Sequence, residues 1–170
     1  ADASHLADDR VWAFHGTLDA AVGEKATAAA VALYEGVLPP GEQRYVNDVP
    51  AAHLFPTETA GGACDQAAAP WLGACGYDAA GEMLSFLYPG LTTPADADRA
   101  PVAEGEIREL VLPDVTGSGL AETALAWLPA ACPPEGCRLH LALHGCAMST
   151  TQNGRAFVED AGYLPWARAN

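Results

Sequence analysis

A three-layer α/β sandwich is the fold that this sequence predicts, and three observations carry the expectation. The chain has 170 residues, half of them apolar, enough for one domain with a real core. Short apolar runs with strand character alternate with stretches of helical character along its first half. Arg138 to Leu143 then places Leu139, Leu141 and Leu143 in strict alternation with His140 and Ala142, the pattern of a buried central strand.

Val11-Trp12-Ala13-Phe14 is an apolar run ended by His15-Gly16, as in an interior strand of a parallel sheet, with Asp19 in the loop beyond. Glu24 to Tyr34 is Ala-rich, carries Val31, Leu33 and Tyr34 on its later turns, and is closed by Gly36: a helix. Gln43 to Asn47 reads as the second strand, ended by Asp48-Val49-Pro50, and His53 follows in a loop fixed by Pro50 and Pro56. Ala60 to Gly76 is a Gly/Ala/Cys loop. Tyr77 to Tyr88 is a helix with Asp78 as N-cap and Met83, Leu84, Phe86 and Leu87 as its apolar face. Residues 89–106, proline-punctuated and aperiodic, form a connector between two halves of a single domain spanning 1–170. Ile107–Leu112 and Glu122–Leu128 flank Gly117-Ser118-Gly119 as an antiparallel hairpin. After the central strand, Ser149-Thr150-Thr151 is a helix-start signal, and a helical region runs from about Gln152 to Ala169, restarted at Pro165. The chain stops at Asn170, at a helix end where another strand is expected.

Charge excludes whole classes of partner. Against 22 acidic residues stand 8 basic ones, a formal charge of −14. Nucleic acid and anionic membrane surfaces both demand a basic footprint. No apolar run reaches the roughly 18 residues that a membrane span needs, and Ala1 to Asp9 has neither a basic nor an apolar targeting segment. The cysteines form no CxxC pair and lack histidines at zinc-finger spacing, so a structural zinc is not expected; no metal or other cofactor is assigned to the chain. Cys64 and Cys75 bracket one loop and Cys132 and Cys137 another; both pairs read as local disulfides, which fit a secreted or periplasmic protein. Cys146 is left over.

Chemistry in α/β sheets gathers in loops at the carboxyl ends of strands. Asp19 and His53 both fall there. An aspartate that accepts from a histidine Nδ1–H fixes the tautomer and stabilises the imidazolium formed during acyl transfer, leaving the other nitrogen to act as base and then acid. The strand end at His144-Gly145-Cys146 resembles the loop that supplies an oxyanion-hole N–H in α/β-hydrolases; it also reads as a plain core strand with a tight turn. No nucleophile accompanies them. Ser4, Ser85, Ser118 and Ser149 all lie outside Gly-x-Ser-x-Gly, and Cys146 suits a backbone donor better than a thiol nucleophile.

The segments VWAFHGTLDAAVG, AAHLFPT, CDQAAAPWLGACGYDAAGEML and CRLHLALHGCAMSTTQNGRAFVEDAGYLPWARAN together resemble secreted poly(3-hydroxybutyrate) depolymerases, above all those with a circularly permuted α/β-hydrolase domain. The resemblance covers nearly the whole chain. It implies a serine-type ester hydrolase acting on poly(3-hydroxybutyrate) or its oligomers, with Asp19 as the triad acid and His53 as the base. The Cys146 backbone N–H becomes an oxyanion donor, and Trp166, Trp71 and His144 contact substrate. It also implies that the serine lies on a nucleophile-bearing segment preceding Ala1, so that this chain corresponds to the later part of such a domain, incomplete at both ends. Two alternatives remain beside it: a non-catalytic module that binds polyester or a partner, and a related secreted feruloyl or acetyl esterase.

Overall fold

The computed structural model describes residues 4–130, 134 and 136–170. Its first unit follows the expected order. Strand β1 (Val11–Phe14) pairs in parallel with β2 (Gln43–Val46), Val11 opposite Gln43 and Phe14 opposite Val46. Between them runs α1 (Glu24–Ala32), which buries Val31 and gives way to a left-handed Gly36 at φ +78°.

Where a single loop is expected after His53, the chain builds a small parallel sheet in the order β3-β5-β4 from β3 (Phe55–Thr57), β4 (Gly62–Ala63) and β5 (Leu72–Ala74). The Cys64–Cys75 disulfide closes the loop that joins β4 to β5. These strands are two or three residues long and contain Pro56, Gly62 and Gly73. Their apolar pattern is too brief to register as strand.

Helix α2 (Ala79–Leu87) begins as expected, with Asp78 Oδ1 accepting from the Gly81 N–H at 2.8 Å. Its buried face of Ala79, Ala80, Gly81 and Leu84 packs on β1, β3 and the last helix. The hairpin is present as β6 (Ile107–Val111) and β7 (Thr123–Trp127), antiparallel with Ile107 opposite Trp127. The expected continuous helix near the C-terminus is instead three: α3 (Thr150–Asn153), α4 (Ala156–Asp160) and α5 (Tyr163–Ala169). Gly154 at φ +59° and Gly162 at φ +92° break it, and Pro165 sits in the first turn of α5.

The largest correction concerns Arg138 to Leu143. These residues form no strand, and Leu139, Leu141 and Leu143 are 84, 72 and 75% exposed. The alternation is real, but no neighbouring strand among the described residues takes up the backbone N–H and C=O groups. A strand pattern cannot become a sheet without a partner. The protein exposes 10704 Å² of surface, about a third more than the ~7,900 Å² of a compact monomer of this mass.

The connector is not loose. Arg168 on α5 binds Glu106 through both carboxylate oxygens, at 2.6 and 2.7 Å, and donates to the Asp98 and Ala100 carbonyls. Glu106 also accepts from the Trp127 indole at 3.1 Å, and Asn170 bonds the Thr92 backbone in both directions. The hydrogen bond from Arg168 and the one from the Ala103 N–H hold the Glu106 carboxyl at about 2, far below its usual range, against the opposing pull of desolvation. A carboxyl depressed on folding contributes stability above its unfolded pKa and loses it as pH falls towards the folded one. Thermal unfolding followed from about pH 5 to pH 2 is therefore expected to show a loss of stability that Glu106→Gln lacks, the variant being less stable near neutrality and converging with the parent in acid.

Candidate active site

The site begins with a glycine. Beyond β1 the chain turns at Gly16, and a Cβ there would overlap the Ala51 carbonyl. With only hydrogens at that position the two loops come together, Thr17 N–H donating to Val49 O at 2.8 Å and Leu18 N–H to Ala51 O at 3.1 Å. The loop that carries His53 is thereby tied to the loop that carries Asp19. Its other side is fixed by Ala52 N–H donating to Cys64 O at 2.8 Å, beside the disulfide.

Asp19 is set by its own backbone. Oδ1 accepts from the Ala21 and Val22 N–H groups at 2.8 and 2.9 Å, an Asx-type turn. Buried His15 locks that turn from beneath by donating from Nε2 to Val22 O at 2.9 Å. The second carboxylate oxygen, Oδ2, accepts from His53 Nδ1 at 2.8 Å. Desolvation alone would raise the Asp19 carboxyl, but the bonds from Val22, His53 and Ala21 together hold it below its usual value. It is an anion, with a side chain only 9% exposed, behind an imidazole that is 48% exposed. With the proton on Nδ1, His53 Nε2 is an acceptor, and it has no partner among the described residues. The pair can take a proton from a hydroxyl and stabilise the cation that results.

His15 and Gly16 are the supporting residues that sequence reasoning passed over, although the His-Gly strand end was visible. Cys146 has an exposed, free thiol. It lies in a turn in which Met148 N–H donates to Gly145 O at 3.3 Å, Ala147 is left-handed at φ +60°, and Asn153 Nδ2 donates to Ala147 O at 2.7 Å. The Cys146 N–H has no acceptor among the described residues. His144 donates from Nδ1 to Gly145 O at 2.9 Å and is exposed. Among the described residues no hydrogen bond joins this turn to Asp19 or His53.

Trp71 is half-buried, left-handed at φ +63°, and its carbonyl accepts from the N–H of Phe55, two residues after His53. Trp166 is placed differently from the aromatic wall expected of it. Only 8% exposed, its indole lies so close to α2 that a Cβ on Gly81 would come within 2.9 Å of Nε1. It packs α5 onto the core because Leu164 and Trp166 form the buried face of that helix. Of the expected disulfides, Cys64–Cys75 is present. Cys137 is also disulfide-bonded, whereas Cys132 lies outside the described residues. The serine hydroxyls are engaged locally, Ser118 donating to Val115 O and Ser149 to Gln152, while Ser85 is exposed on α2. Among the described residues none bonds to His53. No helix of the described residues is long and apolar enough to cross a membrane.

No protein-family model matches the chain. Two curated relatives match along its whole length. One is a poly(3-hydroxybutyrate) depolymerase from Delftia acidovorans, 32% identical over 98% of this chain and 34% of its own. The other is a polyhydroxybutyrate depolymerase from Talaromyces funiculosus, 27% identical over 100% of this chain and 51% of its own. The crystal structure of a PHB depolymerase from Penicillium funiculosum superposes with a TM-score of 0.87 at 26% identity. A serine-to-alanine form of PHB depolymerase complexed with an R3HB trimer gives 0.88 at 27%. Both superpositions cover all of this chain and 54% of the other. The chain is thus similar to poly(3-hydroxybutyrate) depolymerases throughout, and spans between a third and about half of their length.

Gly16→Ala is expected to force the Asp19 and His53 loops apart, at a cost of about 2 kcal/mol typical of an overpacked contact. Urea denaturation measures that cost. In the imidazole NMR spectrum, the downfield Nδ1 proton of His53 is expected to disappear with it; an unchanged resonance would mean that the loops do not depend on the glycine.

Proposed function

We propose that this chain is the acid–base portion of a secreted serine-type ester hydrolase that cleaves poly(3-hydroxybutyrate) or its oligomers, on a circularly permuted α/β-hydrolase sheet. The observation that carries the reading is the 2.8 Å hydrogen bond from His53 Nδ1 to Asp19 Oδ2, formed at the ends of parallel strands and with Nε2 left free. The relatives named as depolymerases and the trimer complex of a structural neighbour support the substrate class. The disulfides support a secreted or periplasmic location.

In this reading a serine on a segment outside the 170 residues attacks the ester carbonyl while His53 Nε2 takes its proton. Asp19 holds Nδ1–H and stabilises the imidazolium. The Cys146 N–H donates to the oxygen as it gains charge, a donor worth about 3–4 kcal/mol in comparable sites. The imidazolium then protonates the departing alkoxide, and the released hydroxyl end of the polymer leaves. Water, deprotonated by the same nitrogen, frees the acyl group and restores the serine. Trp71 and His144 line the approach of the chain. No metal or other cofactor enters.

A fluorophosphonate serine probe, read by intact mass, locates the attacker. Label on a polypeptide other than these 170 residues is the expected result, and label on Ser118 or Ser149 would overturn the division of labour. Asp19→Asn in the unlabelled protein that carries the serine is expected to lower ester hydrolysis by about 10⁴, as tautomer loss does in a triad, with little change in KM. The exposed leucines at 139, 141 and 143 favour the second reading, a binding module without catalysis; polyester adsorption together with His53→Ala leaving hydrolysis unaltered would select it.

A further inference from the structure

We propose that His140 is a positioning residue that seats the Arg138–Cys146 segment against the strand following His53, through the ring of Tyr163. The consequence for catalysis rests on the reading above; the seating itself does not.

Among the described residues the segment has no ladder of backbone hydrogen bonds, and its contacts are made through His140 and the Tyr88 hydroxyl. From Arg138 to Cys146 every residue is exposed except His140, which is half-buried. Its imidazole lies 5.3 Å from the Tyr163 ring on α5 and 5.9 Å, edge-on, from the Tyr88 ring at the end of α2. The Tyr88 hydroxyl reaches both Leu139 O and His140 Nδ1 at 3.3 Å. Tyr163 in turn packs on Phe55 at 5.8 Å and Phe157 at 6.0 Å, and these two meet edge to face at 5.9 Å. Offset and edge-to-face pairs at these separations attract beyond their burial.

A continuous path of rings therefore runs from Phe55, two residues after His53, to His140, six residues before Cys146. The alternation of the segment explains why one ring suffices. In extended backbone His140 projects opposite to Leu139 and Leu141, so the clamp takes one face and leaves the leucines outward. A shift of His140 moves the Cys146 turn relative to the His53 loop, which is the separation that a base and an oxyanion donor must keep.

The clamp is also sensitive to protonation. The titratable groups that face His140 are the phenols of Tyr88 and Tyr163; burial pushes Tyr163 up to about 12, so it supplies no counter-charge. Burial pushes the His140 imidazole below its usual value. A group depressed on seating supports the seated state above its free pKa of about 6.5 and ceases to do so as pH falls through the lowered one.

Cys146 offers the probe, being free and exposed while Cys64, Cys75 and Cys137 are bridged. A nitroxide attached there, with the site verified by peptide mass, reports segment motion by its line shape without any ester being hydrolysed. The parent at about pH 7.5 is expected to show a restricted label that loosens towards about pH 5. His140→Ala is expected to raise the mobile fraction several-fold at both values. His140→Phe keeps a ring but cannot titrate, so it is expected to stay restricted at both. An Ala variant as restricted as the parent, or a Phe variant as mobile as Ala, overturns the proposal. Where the Ala variant does not fold, the Phe variant decides alone: pH-independent restriction upholds the clamp, and mobility or a retained pH dependence rejects it.

Discussion

Two backbone stretches lie closer together than side chains would permit, and the arrangement at the strand ends depends on that approach. Gly16 faces the Ala51 carbonyl with no Cβ between them, and the Thr17–Val49 and Leu18–Ala51 hydrogen bonds close over the contact. From there the constraints propagate outward. The Asp19 turn is completed by Ala21 and Val22 and propped by His15, while the His53 loop is anchored on its far side to Cys64. The carboxylate–imidazole bond is thus made between two loops already fixed by backbone, and the side chains need little ordering to find each other.

The opposite condition holds at Arg138 to Leu143. There the side chains have a strand's alternation and the backbone has none of a strand's bonds. A two-stranded sheet is marginal by itself, and a row of backbone N–H and C=O groups without a strand partner among the described residues, flanked by leucines, is a template for another strand. The three exposed leucines add to the exposed surface of the protein. On the proposed reading, the remainder of a longer hydrolase domain supplies the flanking strands and, with them, the serine.

These two regions also show what a sequence reveals and what it withholds. β1, α1, β2, α2 and the β6–β7 hairpin were legible because each is specified within itself: an apolar run, a helical period, an N-cap aspartate, a glycine turn. The meeting of Asp19 and His53 was legible as two residues placed just beyond parallel strands. The small β3-β5-β4 sheet was not, since two-residue and three-residue strands with Pro and Gly carry no period, and their register comes from the disulfide-closed loop. The last helix was overextended because Gly154 and Gly162 are tolerated in a helical pattern but adopt left-handed backbone here. The 138–143 strand failed for another reason: whether an alternating run pairs is decided by its neighbours. Trp166 failed similarly, since a tryptophan on a short helix reads equally as a binding wall or as core.

On the proposed reading, the charge of the chain bears on a polyester substrate through the geometry of the pair. A formal −14 would repel an anionic ligand, whereas a polyester of short hydroxy acids is uncharged apart from its ends. Even so, a bare carboxylate at the point of reaction would oppose the charge that develops on the ester oxygen. The arrangement avoids this by depth. Asp19 is 9% exposed and saturated by two backbone N–H groups and one imidazole, while His53 stands in front of it at 48%. On the proposed reading, an approaching ester therefore meets the imidazole rather than the carboxylate behind it. The acidity of the surface is then compatible with the proposed reaction because the one acidic group that matters is hidden behind the base that it serves.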